Sequence, residues 1–149
     1  MNKPVLLPQT EIEPRRWRFT VDDVFRMQEA GILPPDHRCE LIHGDLIEMP
    51  HEGDLHSFYK SRITHALARA LNYSDYTIGP DTTFFLDRSE APEPDLFVTS
   101  ADFRPSQARG ENVLLVIEVA HTSLPYDLSV KADLYRDYGV REYWVVDVD

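Results

Sequence analysis

The sequence predicts an α/β domain, and three observations predict it. Segments with helical periodicity alternate with short β-branched runs, the pattern of helices layered on a sheet. One run, Val113 to Val119, is almost continuously apolar, as suits a strand buried on both faces. The chain has 149 residues, 42% apolar and 28% charged, which is enough for one domain to bury a core without disulfides or a structural metal.

Residues 1–19 hold three prolines and no periodicity, and are expected to form an N-terminal arm; residues 20–149 are the folded domain. Thr20 and Asp23 have the spacing of a capping box, which opens a helix from about Val21 to Ala30 that Gly31 stops. Cys39-Glu40-Leu41-Ile42, His43-Gly44-Asp45 and Leu46-Ile47-Glu48-Met49 read as a β-hairpin, with Gly44 supplying the positive φ of a tight turn. From Leu55 to Leu71 the pattern is helical, with Phe58, Tyr59, Ile63, Ala66, Leu67, Ala70 and Leu71 on the apolar side and Lys60, Ser61, Thr64, His65 and Arg69 mostly elsewhere. Short strands follow at Tyr76 to Ile78, Thr82 to Leu86 and Leu96 to Val98. After Val113–Val119, a helix from about Asp127 to Tyr138 ends at Gly139, and Glu142 to Val148 is a last apolar strand.

No run approaches the roughly 18 apolar residues of a membrane span, and Val5-Leu6-Leu7 is too short for a signal-peptide core. The single cysteine, Cys39, excludes an internal disulfide and a multi-cysteine zinc cage. These features place the protein in the cytoplasm. The net charge of −11 repels a polyanion at long range. Two features soften that repulsion. Lys3, Arg15, Arg16 and Arg18 outweigh Glu11 and Glu13 near the N-terminus. A metal site gathers carboxylates whose charge its cation reverses.

The chemistry centres on Pro94-Asp95 and, after 22 intervening residues, Glu118 inside the apolar strand. A carboxylate in such a strand is disfavoured unless paired or metal-bound. Two converging carboxylates, completed by water and a backbone carbonyl such as that of Val119, make an all-oxygen, magnesium-type site. The bland alternative leaves Glu118 at the exposed end of its strand and Asp95 merely opening another. Asp127, Lys131 and Tyr135 follow one another at i, i+4 and share a helix face. That face brings Lys131 to the site as an electrostatic stabiliser, or leaves an ordinary surface pair with Asp127. His56 falls in line with Ile63 and Leu67 on the inward face of its helix, where it either lines the cleft or is a satisfied core histidine. Glu40 faces one side with Ile42, or is an edge-strand charge.

The ordered series Glu40-Leu41-Ile42-His43-Gly44-Asp45-Leu46, His56, Pro94-Asp95, Glu118-Val119, Asp127, Lys131, Tyr135, Gly139-Val140 and Glu142-Tyr143-Trp144-Val145-Val146-Asp147 resembles the Uma-two family of bacterial restriction-endonuclease-like proteins, within the PD-(D/E)xK nuclease superfamily. The resemblance runs from about Phe19 to Asp149. It implies a restriction-endonuclease-like core, a mixed β-sheet flanked by helices, with Mg²⁺ or Mn²⁺ at Asp95 and Glu118, DNA as substrate and a homodimer. Ala120 stands where the superfamily's motif usually has its lysine, and the resemblance assigns that role to Lys131 on the following helix. It also implies strands beyond Asp149 that this sequence lacks, and it leaves His121, close after Glu118, as an extra ligand or a loop residue.

Three readings follow. The leading one is a metal-dependent endonuclease in which Asp95 and Glu118 hold the ion, Lys131 positions water, and His56 and Glu40 support them. The others are a catalytically silent DNA- or protein-binding module on the same fold, and a metal-dependent hydrolase of small phosphoesters, which would suit the acidity.

Overall fold

The computed structural model of the protein describes residues 16–34, 38–49, 51–104 and 107–149. Most of the expected N-terminal arm, residues 1–15, lies outside that set. Helix α1 (Val21–Glu29) opens on the expected capping box, in which the Thr20 hydroxyl and the Asp23 carboxylate satisfy each other's backbone N–H groups. Strands β1 (Cys39–Ile42) and β2 (Asp45–Glu48) pair antiparallel. Their two-residue turn has φ of 53° at His43 and 73° at Gly44, so both central residues are left-handed, as a twist-matched hairpin turn requires.

Helix α2 (Asp54–Ala70) leads into β3 (Tyr76–Pro80), β4 (Leu96–Ser100) and β5 (Val113–Ala120). The chain then returns through helical turns to β6 (Glu142–Asp147). The main sheet has the order β3-β4-β5-β6. Its first two pairings are antiparallel and β5–β6 is parallel, so the sheet is mixed and flanked by helices. The expectation for β5 holds, since Val116 through Ala120 are all buried. Phe84, Phe97, Val116 and Tyr135 meet in the core between sheet and helices.

Three local expectations are corrected. Thr82 to Leu86 forms no strand of the sheet. Its alternation buries Phe84 and Leu86, but their N–H groups bond back to the carbonyls of Pro92 and Glu90 in a local loop. On α2, Phe58 and Tyr59 point outward and are 52% and 38% exposed, while Lys60 and Thr64 join His56, Ile63 and Leu67 on the inner, half-buried side. The helix after β5 starts earlier than expected, as α3 (Leu124–Tyr126), and passes through a π-turn (Asp127–Lys131) before α4 (Ala132–Asp137). Such wide turns are rare, occur mostly as single turns inside α-helices, and are frequent at functional sites.

Candidate active site

Asp95 and Glu118 come together because β4 and β5 are antiparallel neighbours, with Leu96 opposite Ile117. That register sets the residue before β4 beside the residue after Ile117. The Val119 N–H donates to Asp95 Oδ2 at 2.7 Å, and the Asp95 N–H points at Glu118 Oε2 at 3.4 Å. Both side chains are buried, at 8% and 4% exposure, so Glu118 does not sit at an exposed strand end.

Lys131 reaches this pair from the π-turn. Its Nζ lies 2.9 Å from Glu40 Oε1 and 3.0 Å from Glu118 Oε1. The surface-pair alternative is therefore overturned: Lys131 is buried and bridges two strands rather than bonding Asp127. Successive i+4 steps on an ideal α-helix drift by about 40° each, and the wider turn absorbs part of that drift. Asp127, Lys131 and Tyr135 are accordingly all buried on the side facing the sheet. The Tyr135 hydroxyl donates to Glu118 Oε1 at 3.0 Å, with its ring stacked on Phe84. Glu40 is buried too, not an edge charge, and Oε1 also accepts the Glu93 N–H at 2.8 Å.

His56 joins from α2. Its Nε2 hydrogen-bonds Asp95 Oδ2 at 3.1 Å and lies 3.0 Å from Oδ1, and that hydrogen bond raises the imidazole above its ordinary value against the opposing effect of burial. Burial pushes the Glu118 carboxyl up. Lys131 opposes the rise, and the negative charges of Glu40, Asp95 and Asp127 add to it. Burial would lower the Lys131 ammonium, but Glu118 and Glu40 hold it well above its usual range. Four carboxylates thus face one ammonium and one imidazole in a dry site. That excess of hard oxygen donors fits a divalent cation.

These groups form the floor of a cavity of about 650 Å³ whose wall includes Met49, Glu52, Tyr126 and Val148. His121 lies at its edge, exposed and 3.0 Å from Asp149, and does not join the carboxylate pair. Sequence reasoning missed one side of the cavity altogether. There Glu52 binds Lys60 and Arg38, Lys60 and Arg38 reach Asp81, and Arg38 also binds Glu93. The signal was present: His56 and Lys60 stand at i, i+4 on one helix face, and Glu52 precedes His56 by four residues just ahead of the helix.

The fold and site define a class before they define a family. The arrangement is similar to a solved structure from Anabaena variabilis, described as "a putative nuclease belonging to DUF820", with a TM-score of 0.62 and 16% identity over 81% of this chain and 73% of that one. At that identity the likeness establishes the fold alone. The sequence profile of the Uma2 family, described as "Putative restriction endonuclease", matches residues 21–149, and the chain belongs to that family. Membership supports a nuclease-type function. No curated protein matches the chain.

Proposed function

We propose that the protein is a divalent-metal-dependent endonuclease that hydrolyses DNA phosphodiester bonds. The observation that carries this reading is the convergence of Asp95 and Glu118 from adjacent strands on a buried Lys131 ammonium. Asp95, Glu118 and the Val119 carbonyl would hold Mg²⁺ or Mn²⁺. Such an ion, when bound, lowers the pKa of a coordinated water and stabilises charge on a phosphoryl oxygen.

The chain's own residues do the positioning. Lys131 and the Tyr135 hydroxyl both occupy Glu118 Oε1, which leaves Oε2 turned toward Asp95. Glu40 fixes the ammonium from the other side, so its charge stands ready beside the attacking water and the developing phosphorane charge. The Val119 N–H and His56 both bond Asp95 Oδ2 and so fix the carboxylate. Burial of these groups keeps bulk water from weakening each interaction. Plasmid nicking with and without Mg²⁺ or Mn²⁺, alongside Asp95→Ala, tests the reading. Metal-dependent nicking that the variant loses is the expected result. Intact plasmid in Mg²⁺, Mn²⁺ and Co²⁺ would favour the silent binding module.

One observation favours a second reading, a hydrolase of small phosphoesters. Seven carboxylates line the cavity against Arg38 and Lys131, and both of these cations are already ion-paired. Turnover of an aryl phosphodiester with no action on DNA would establish that reading. We place the enzyme in the cytoplasm as a homodimer. Among the described residues no helix is long and apolar enough to cross a membrane. Among the described residues strand β6 pairs on one side only, and it exposes Trp144, which supports self-association. Light scattering at tens of micromolar tests it, and a monomer throughout would refute the dimer.

A further inference from the structure

His56 stands between two carboxylates and satisfies only one of them. Nε2 meets Asp95 Oδ1 at 3.0 Å. Nδ1 lies 3.4 Å from Glu52 Oε2 without the alignment of a hydrogen bond, and is a buried side-chain nitrogen with no partner. Glu52, His56 and Asp95 each offer a donor atom, and these atoms lie within 4.8 Å of one another. The all-oxygen site expected from Asp95, Glu118 and Val119 includes no imidazole, yet one stands against its first carboxylate.

We infer that His56 Nε2 is a ligand of the ion held at Asp95, and that Glu52 is the positioning residue that accepts a hydrogen bond from the Nδ1–H. The inference rests on Asp95 being a metal carboxylate, as proposed above. Geometry separates the two roles. Two donors, each about 2.1 Å from one ion and at right angles, stand about 3 Å apart, and Nε2 and Asp95 Oδ1 already have that spacing. Glu52 faces the opposite edge of the ring, so the same nitrogen cannot serve both carboxylates. A metal-bound imidazole commonly donates its second N–H to a carboxylate, which fixes its tautomer and strengthens it as a ligand. Glu52 is built for that task. It lies one helical turn before His56, and Lys60 and Arg38 anchor its other oxygen, Oε1.

The ligand set has a consequence for the ion. Mg²⁺ prefers oxygen donors and dehydrates reluctantly, whereas a nitrogen donor shifts preference toward Mn²⁺, Co²⁺ and later divalent metals. The site should therefore take Mn²⁺ at least tenfold more tightly than Mg²⁺.

Titration calorimetry and pulsed EPR of Mn²⁺ on the full chain, without DNA, test this directly. Wild-type protein should show coupling of bound Mn²⁺ to a directly ligated ¹⁴N. His56→Ala should abolish that coupling and weaken Mn²⁺ binding by roughly 10- to 100-fold, with a smaller change for Mg²⁺. Glu52→Gln should keep the coupling and weaken Mn²⁺ binding by roughly tenfold. His56→Asn, with circular dichroism matching wild type, guards against a folding defect in the alanine variant and should lose the coupling as well. Bound Mn²⁺ that depends on Asp95 but shows no nitrogen coupling would overturn the inference and leave the nuclease reading standing. Equal Mn²⁺ affinity in wild type and His56→Asn would overturn it too, and so would an absence of bound Mn²⁺. The nuclease reading is decided separately by DNA cleavage.

Discussion

Glu118 and Glu52 each hold a lysine ammonium, yet their carboxyl groups are displaced in opposite directions. Glu118 meets Lys131 at the floor of the cavity, and its carboxyl is pushed up. Glu52 meets Lys60 and Arg38 on the wall, and its carboxyl is held down to about 2. Burial raises both, but by unequal amounts against unequal help. Glu118 is almost fully buried and shares one ammonium with Glu40 while facing Asp95 and Asp127. Glu52 is 22% exposed and has two cations nearby, whose attraction outweighs its desolvation. Pairing a carboxylate with lysine therefore does not define its state; the count of charges and the access of water do. The wall holds charge that is nearly balanced. The floor holds an excess of negative charge, which suits the proposed cation.

That difference is broken most severely at Asp95. Asp95→Ala should reduce metal-dependent cleavage by about three orders of magnitude or more, the upper end of what one lost electrostatic element costs. It should also abolish metal binding by calorimetry. Lys131 comes next, because it acts on both rate and fold. Lys131→Ala should slow cleavage by roughly two to three orders of magnitude. It should also destabilise the protein by about 3 kcal/mol, since it strands Glu40 and Glu118 in a buried site. Urea unfolding read by tryptophan fluorescence measures the second effect. A wild-type midpoint in Lys131→Ala would mean that the floor is wetter than its burial indicates.

The sequence pattern alone carries the loss at Asp95 but not the stability cost at Lys131. Seen as an exposed i, i+4 partner of Asp127, Lys131 is expected to contribute almost nothing to folding. Its burial depends on the β-hairpin bringing Glu40 across 91 positions of sequence, and periodicity has no access to that contact. The π-turn is equally invisible, because Asp127-Leu128-Ser129-Val130-Lys131 reads as ordinary helix. Where local physics decides, the sequence speaks clearly. The Thr20–Asp23 capping box, the His43-Gly44 turn and the buried β5 strand all appear as expected. His56 falls on the inward face for the same reason, since helical period alone places it beside Ile63 and Leu67. Phe58 and Tyr59 mislead because hydrophobicity alone does not bring burial, and the inner face of α2 is polar where it meets the site.

Tyr135→Phe sharpens the comparison without removing a charge. The ring keeps its stacking on Phe84, and only the hydrogen bond to Glu118 Oε1 is lost. The expected cost is about 1 to 2 kcal/mol, as for a buried hydrogen bond to a charged acceptor. Arg38→Ala removes a whole ion pair from the wall, yet its side chain is 40% exposed and it should cost less than about 1 kcal/mol. A larger loss in Arg38→Ala than in Tyr135→Phe would invert the contrast between floor and wall.

The smallest expected effect is the pH dependence of stability contributed by Glu52, and its sign follows from the depressed carboxyl. In the unfolded chain Glu52 titrates near its ordinary value of 4.5, whereas in the folded protein Lys60, His56 and Arg38 hold it to about 2. Above pH 4.5 both states are ionised and the folded protein keeps the full benefit of the pairing. Between about 4.5 and 2 the unfolded state takes up a proton that the folded state resists, so stability falls as the solution is acidified. Glu52→Gln has no such proton to bind. Its urea midpoint should therefore lie slightly below wild type at pH 6, close on it below about pH 4.5, and draw level only as the pH approaches 2. Glu118 runs the other way. Its raised carboxyl lets the folded state bind the proton first, so ionising it costs stability as pH rises above 4.5. Midpoints of wild type and Glu52→Gln that stay parallel from pH 6 to 3 would show that the wall pairing does not hold Glu52 below its ordinary value.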